Sequence, residues 1–359
     1  MGVYGIKKKF DFLGDIALYG AGMVAVSVYY AVKTLYADCK VIAFLVSDRA
    51  NNPPEIDGIP VLALDEFDRT DLKIVVATPE NYHAAITTVL KEKGMNDYIC
   101  IDSQTEASLM EQYYDKVGDF LSLHSLKAGN RKPAVSVYMS RFHKDQKLEH
   151  VHALQDWVHP IQAGAALTAE RVASLCDNTG NNISEKNGNY SELTALYWIA
   201  QNASAEYLGL FHYRRVLDIG EKDLLRLKEN DIDVLLPYPT IHFPNISEHH
   251  RRYLKEADWK AMMTALKELA PEYAAAVPKM FTGKYFYNYN MFLAKEEILK
   301  EYCNWLFPIL QRTEELSVPA GCERADRYIG YLGENLTTLY FLYHQKDFKI
   351  AHTGRLMFT

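Results

Sequence analysis

The sequence predicts an α/β protein of two domains joined by a helical connector, and three observations predict it. A strand, Asp15 to Tyr19, runs into the small-residue turn Gly20-Ala21-Gly22-Met23-Val24-Ala25 and then a helical stretch to about Leu35. A polar turn, Lys127-Ala128-Gly129-Asn130-Arg131-Lys132-Pro133, stands before a new apolar strand, Ala134 to Met139. A further apolar run, Tyr207 to Phe211, is followed directly by His212-Tyr213-Arg214-Arg215. A run of that length reads as a buried strand, and in an open α/β sheet ligands sit just outside the carboxyl ends of the strands. The side chains delivered there suit an anion, since the planar fork of Arg donates two parallel hydrogen bonds to phosphate. Solvation, or pairing with surface carboxylates, is the plainer alternative for two adjacent arginines.

Composition narrows the class. A chain of 359 residues with 48% hydrophobic and 24% charged residues can build substantial cores. A net charge of −7 and a pI near 6.0 argue against a general nucleic-acid binder, so any anion site must be local. Cys39, Cys100, Cys176, Cys303 and Cys322 are scattered without metal-type spacing, which fits reduced thiols in a cytoplasmic protein and suggests no zinc site. No apolar run reaches the roughly 18 residues that span a bilayer, and no signal-peptide core opens the sequence. Lys7 to Lys9 with Phe10, Phe12 and Leu13 offer at most weak peripheral contact with a membrane surface.

In chain order, the strand Lys40 to Val46 ends at Ser47-Asp48, where an acidic residue can meet a ribose hydroxyl. Gly58-Ile59-Pro60-Val61 reads as an edge strand, Asp65-Glu66-Phe67 as a helix start and Lys73 to Thr78 as a buried strand. A helix Glu80 to Lys93 capped by Gly94 and a strand Tyr98 to Ile101 complete the unit. Residues 14–102 resemble the small Rossmann-like modules attached to bacterial sugar-modifying enzymes, and residues 1–102 are read as an accessory domain. Gly20, Gly22 and Asp48 are its candidate nucleotide-binding residues. The same turn also serves plain strand-to-helix packing, and no acid–base constellation for hydride transfer accompanies it.

Residues 103–132 read as the helical connector and residues 133–359 as the second domain. Its first strand delivers Ser140-Arg141-Phe142-His143-Lys144, with Ser140 and Arg141 as candidate donor-binding residues, and Trp157 to Gly164 forms a second strand and turn. The stretch from Cys176 to Asn187 is a long polar loop, with Asn178, Asn182 and Asn187 as candidate ligand contacts. Asn189-Tyr190-Ser191-Glu192 fits a capping box for a helix through Leu193, Leu196, Tyr197 and Ala200, which accounts for Asn189 and Glu192 without a ligand. His249-His250-Arg251-Arg252-Tyr253 reads as the start of a mobile lid.

Four motifs occur in order: DNTGNNIS with Y-x-ELTALYW behind it, YLGLFHYRR, YNYNMFLAKEEILKEYCNWLF, and R-x-x-GYLGENL. Together they resemble a family of bacterial capsular and exopolysaccharide glycosyltransferases whose domain was long catalogued as one of unknown function, over residues 133–359. The resemblance implies a GT-A-like, mixed-sheet glycosyltransferase domain, a nucleotide-sugar donor such as UDP-galactofuranose or another UDP-hexose, and a lipid-linked glycan acceptor. It also implies work in the cytoplasm, at the inner face of the cytoplasmic membrane. A non-catalytic nucleotide-sugar-binding or scaffold subunit of polysaccharide assembly is the alternative.

Cleaving a nucleotide-sugar bond builds charge on a leaving diphosphate, which a Mg²⁺ or Mn²⁺ ion or fixed cations must meet. Many GT-A enzymes carry Asp-x-Asp at the strand end that here reads His212-Tyr213-Arg214-Arg215. The Asp-x-Asp of this chain, Asp231-Ile232-Asp233, precedes the strand Val234 to Pro237 and reads as a strand-entry turn. The expectation is therefore metal-independent, with Arg214 or Arg215 as the cation and His212 as a hydrogen-bonding group. Candidates for the proton acceptor are Glu334, with Arg327 and Tyr331 on one face of a helix Arg327 to His344, and Asp326 just ahead of it. A surface pair with Arg327 is the alternative for Glu334, and helix capping for Asp326. Tyr289 and Asn290, in an aromatic and amide-rich strand Lys284 to Met291, are the expected sugar or acceptor wall, with strand packing as the alternative.

Overall fold

A computed structural model describes residues 14–149 and 154–359, so the basic and aromatic cluster at residues 7–13 lies outside the described residues. The first sheet comprises β1 (Ile16–Tyr19), β2 (Val41–Val46), β3 (Glu55–Ile56), β4 (Ile59–Ala63), β5 (Lys73–Val76) and β6 (Tyr98–Cys100), in the order β3-β4-β2-β1-β5-β6. All its pairings are parallel except β3 with β4. Strands buried on both faces need helices above and below. On one side lie the helices Met23–Leu35 and Ser103–Val117, on the other His83–Glu92. The expected edge strand at 58–61 is β4, one place in from the edge and covered by β3. The expected helix 80–93 opens with a single 3-10 turn, Glu80–Tyr82.

Gly20 is required by this packing. Its φ is +123°, and a Cβ there would meet Ala77 O at 2.7 Å. Gly20→Ala is expected to cost about 1–3 kcal/mol, measured as a lower midpoint of urea unfolding.

The helix expected as a connector starts at Asp102, whose side chain accepts from Thr105 N at 2.7 Å, and ends at Gly118 with φ +78°. Its face of Leu109, Met110, Tyr113 and Tyr114 belongs to the core of the first sheet.

The second sheet is mixed. Its strands β7 (Val135–Arg141), β8 (Val158–Gln162), β9 (Leu175–Cys176), β10 (Tyr207–His212), β12 (Val234–Pro237), β15 (Phe292–Lys295) and β16 (Ile350–Thr353) run in the order β16-β12-β15-β10-β7-β8-β9. Strands β10, β7, β8 and β9 pair in parallel, whereas β15 is antiparallel to both β10 and β12. A branch leaves the sheet through β11 (Arg215–Leu217), which pairs with β10 and with β17 (Arg355–Met357). Alternation along β10 sends Leu208 and Leu210 into a core under helices Leu193–Asn202, Glu296–Leu316 and Tyr328–Tyr343, and Tyr207 and Phe211 into a core under helix Glu221–Glu229. The fold class is the expected one, α/β with a small Rossmann-like unit followed by a GT-A-like mixed sheet.

The two parts share packing. A small ribbon, β13 (Thr240–Ile241) with β14 (Tyr285–Phe286), lies on the helix Met23–Leu35, where Ile241 N donates to Ser27 Oγ at 3.1 Å. Tyr114 donates to Pro239 O at 2.7 Å and stacks on Tyr238 at 5.1 Å.

Candidate functional site

The carboxyl ends of β7, β8 and β10 open into a cleft of about 640 Å³. Ser140, His143, Lys144, Asn187, His212 and Arg214 line it, together with Asp145, Glu192 and Arg327 from neighbouring segments. His143 Nδ1, His212 Nδ1 and Arg214 Nε are buried and lack a hydrogen-bond partner among the described residues, as does Arg141 Nε beside the cleft. Leaving such a group unsatisfied costs about 1–3 kcal/mol, so their convergence on one cleft favours a ligand rich in acceptor oxygens.

The four residues His212 to Arg215 do not act as one cluster. Strand β10 ends at His212, Tyr213 and Arg214 form a tight turn, and Arg215 starts β11 opposite His212. Arg214 therefore stands at the tip of the turn facing the cleft, its carbonyl accepting from Phe358 N at 2.8 Å. Arg215 points away and is 8% exposed, with its guanidinium 4.1 Å from the centre of the Tyr289 ring. The expectation that either arginine would serve the same anion is corrected: only Arg214 lines the cleft. Burial, then Arg215, Arg214 and Arg327, hold His212 well below the ordinary histidine range, so it is a neutral hydrogen-bonding group.

Two carboxylates stand behind the cations. Glu192 lines the cleft and accepts from Asn290 Nδ2 at 2.8 Å. Burial and the neighbouring Glu334 push its pKa up, against the pull of Asn290. Glu334 accepts from Tyr289 N at 2.9 Å and is pushed up to about 7, chiefly by burial, with Tyr289 N–H, Arg215 and Arg327 opposing. The capping box expected at Asn189 and Glu192 does not form. Asn189 instead donates to Gly321 O and Arg324 O at 2.7 Å, and it accepts from Asp326 N at 3.2 Å. Glu192 is thus a cleft carboxylate that sequence reasoning missed, because its spacing from Asn189 imitates a local cap. Asp145 is pushed up to about 6 by burial, with Phe142 N–H and the Arg141, Arg214 and Arg327 charges opposing.

Other expected site residues lie elsewhere. Asp326 is absent from the cleft lining and does not cap the helix. Burial works against its charge, but Arg324 and Lys255 hold its pKa below the usual range. The Arg324 side chain is 7% exposed and grips Asp258 through both terminal nitrogens at 2.7 and 2.9 Å, and Asp326 at 2.6 Å. Arg324→Ala is expected to cost about 3–5 kcal/mol, seen in urea unfolding, because it leaves the buried Asp258 charge uncompensated.

Asn178 and Asn182 are absent from the cleft lining. Asn182 turns back to Gly180 O at 2.9 Å, and the neighbouring Asn181 and Thr179 tie the loop to Asn202, Gln201 and Trp198. Asn187 does line the cleft, although its amide donates to Ser191 O at 2.7 Å and Thr194 Oγ1 at 3.1 Å. Asn290 is fully buried between Glu192, Gly330 O and Thr337, so it positions Glu192 instead of walling a sugar. Tyr289 lines a different cavity, beside the first sheet. Gly20, Gly22 and Asp48 line that cavity too. Helix Ser247–Tyr253, expected as a lid, brings Arg251, Arg252 and Tyr253 to the first sheet and not over the strand-end cleft.

Among the described residues no group of three or more His, Cys, Asp or Glu side chains is placed to hold a metal ion. Asp231 and Asp233 each accept from Lys295 Nζ at 2.7 Å, and Asp233 also accepts from Lys349 N at 2.8 Å. These carboxylates close a strand entry and do not fit Mg²⁺ or Mn²⁺ in the cleft. No helix among the described residues is long and apolar enough to cross a membrane.

A family described as a domain of unknown function, DUF4422, matches residues 137–346. No curated protein matches the chain significantly. Among solved structures, the apo structure of the bifunctional glycosyltransferase WbbM is similar, with 27% identity and a TM-score of 0.54 over 63% of this chain. The match spans 45% of that protein, less than half its length.

Proposed function

The chain belongs to the DUF4422 family, and on that footing we propose that it is a glycosyltransferase acting from the strand-end cleft. The donor is a nucleotide sugar, with UDP-galactofuranose or another UDP-hexose as the first to try, and the acceptor is a lipid-linked capsular or exopolysaccharide glycan. The observation that carries this reading is the set of buried nitrogens of His143, His212 and Arg214 around one cleft, which have no hydrogen-bond partner among the described residues. Likeness to a bifunctional glycosyltransferase supports it.

In this reading Arg214, Arg327 and Lys144 meet the diphosphate, and neutral His212 and His143 hydrogen-bond the donor. In the inverting form of the reaction, the bond from the anomeric carbon to the phosphate oxygen breaks, and its electron pair leaves with the nucleoside diphosphate. The acceptor oxygen bonds that carbon while its proton passes to Glu192, with Glu334 behind it. Fixed guanidinium groups do the work that a divalent ion does in many GT-A enzymes. The work belongs in the cytoplasm, where nucleotide sugars are made, at the inner face of the membrane that holds a lipid-linked acceptor.

The test is release of UDP from each UDP-hexose by the purified chain with a lipid-linked acceptor, in EDTA and again with added Mg²⁺ or Mn²⁺. Turnover in EDTA is expected. Saturable donor binding without acceptor-dependent UDP release overturns catalysis and leaves a nucleotide-sugar-binding subunit. Turnover only with added ion overturns the assignment of the charge to Arg214 and Arg327.

A further inference from the structure

A second cavity, of about 560 Å³, lies apart from the strand-end cleft. It opens at the carboxyl ends of β1, β2 and β5, where the strand order of the first sheet reverses and where open α/β sheets take ligands. Gly22, Val46, Asp48, Ala77 and Ile86 line it from the first half of the chain, and Tyr253 and Tyr289 close it from the other half. An adjoining cavity of about 480 Å³ shares Gly22, Met23 and Tyr253 with the first and adds Arg252 and Arg251, the latter donating to Glu248 Oε1 at 2.5 Å, with Glu55 also on its wall.

The two glycines of the turn stand there for different reasons. Gly20 is dictated by the fold, through its positive φ and the carbonyl it would strike. Gly22 is dictated by neither. Its φ is −88°, open to any residue, and a Cβ there would meet no atom of the described residues within 4 Å. Protein packing does not ask for glycine at this position, yet Gly22 lines both cavities where they meet. The helix Met23–Leu35 begins at Gly22 without a side-chain cap or an acidic residue in its first turn, so its leading N–H groups are available to an anion.

We propose that the two cavities form one site for a nucleoside diphosphate group, separate from the strand-end cleft and built by both halves of the chain. The base lies in the larger, mainly apolar cavity, with Asp48 accepting from ribose hydroxyls. The diphosphate passes over Gly22, between the amino end of the helix and the guanidinium group of Arg252, with Arg251 tied to Glu248 beside it. The bare Cα of Gly22 is what lets phosphate come that close to the backbone. Tyr253 and Tyr289 cover the occupant from the other side. The site stands whether or not the strand-end cleft is a transferase centre.

Isothermal titration of the full chain carrying Arg214→Ala, with UDP, ADP and NAD⁺ as probes, reads this site with the other weakened. Binding of at least one probe is expected, and adding Gly22→Val is expected to weaken it tenfold or more without lowering Tm. Tyr253→Ala, on the opposite wall, is expected to weaken the same probe at least fivefold. If none of the three binds the Arg214→Ala chain, or if affinity survives both Gly22→Val and Tyr253→Ala, the proposal is overturned. Failure of donor turnover in the strand-end cleft leaves these readouts untouched, so the two readings fail separately.

Discussion

Arg214→Ala is expected to lower turnover of a nucleotide sugar by about 100- to 1,000-fold, the usual cost of removing one fixed group that meets charge developing in a transition state. The neighbouring substitution sharpens the claim. Arg215 lies under the Tyr289 ring at 4.1 Å and is turned away from the cleft, so Arg215→Ala is expected to cost about 2 kcal/mol of stability through lost packing and cation–π attraction. Rates at saturating donor and urea unfolding of both variants decide the matter. Equal catalytic losses in the two, at equal stability, would mean that the turn after β10 does not separate their roles.

Glu192→Gln is expected to lower kcat by about 100- to 10,000-fold while leaving the fold intact. The amide keeps an oxygen for Asn290 Nδ2 but cannot take a proton from the acceptor. Burial and the neighbouring Glu334 raise the proton affinity of Glu192, so the acid limb of the wild-type rate is expected above the ordinary glutamate range.

Stability should move the other way. Burial lifts Glu334 in the folded chain to about 7, above the ordinary glutamate value of about 4.3. Between those values the folded state holds a proton that the unfolded chain has released, so stability falls as pH rises through this window. Acidification from pH 8 to pH 5.5 is expected to stabilise this site while slowing the reaction. Glu334→Gln is expected to raise Tm at pH 8 relative to wild type and to flatten that dependence. A Tm gain for the variant at pH 5 and none at pH 8 would contradict the burial argument.

Strand β10 was legible because the run Tyr207 to Phe211 has the composition of a strand buried on both faces. The turn at Tyr213 and Arg214 was not, since neither residue is Gly, Asn, Asp or Pro and β11 is held beyond it by β10 and the distant β17. That hidden reversal made Arg214 and Arg215 look like partners. Glu192 was misread for a related reason. A local capping pattern was present, but the partner that captures its side chain, Asn290, is 98 residues away. Asp326 likewise looked free to act because Asp258, which holds Arg324 against it, is distant in sequence. The small glycine turn and its sheet were readable because their signals are local. Their contact with Tyr253 and Tyr289 depends on how the second half folds back, which no local pattern records.

Residues 350–358 impose an order on biosynthesis. Every strand of the first sheet lies between Ile16 and Cys100, so that unit can form while synthesis continues. The second sheet must wait: β12 receives β16 only after about 115 further residues have emerged, and β11 receives β17 and the carbonyl of Arg214 receives Phe358 N only after about 140. A nascent chain stopped short of residue 350 therefore carries a formed first sheet beside strands with unpaired edges, the kind of surface that chaperones and proteases recognise. The cation assigned to the donor is among the last groups fixed in place, so an unfinished chain should be inert toward the donor as well as exposed to degradation.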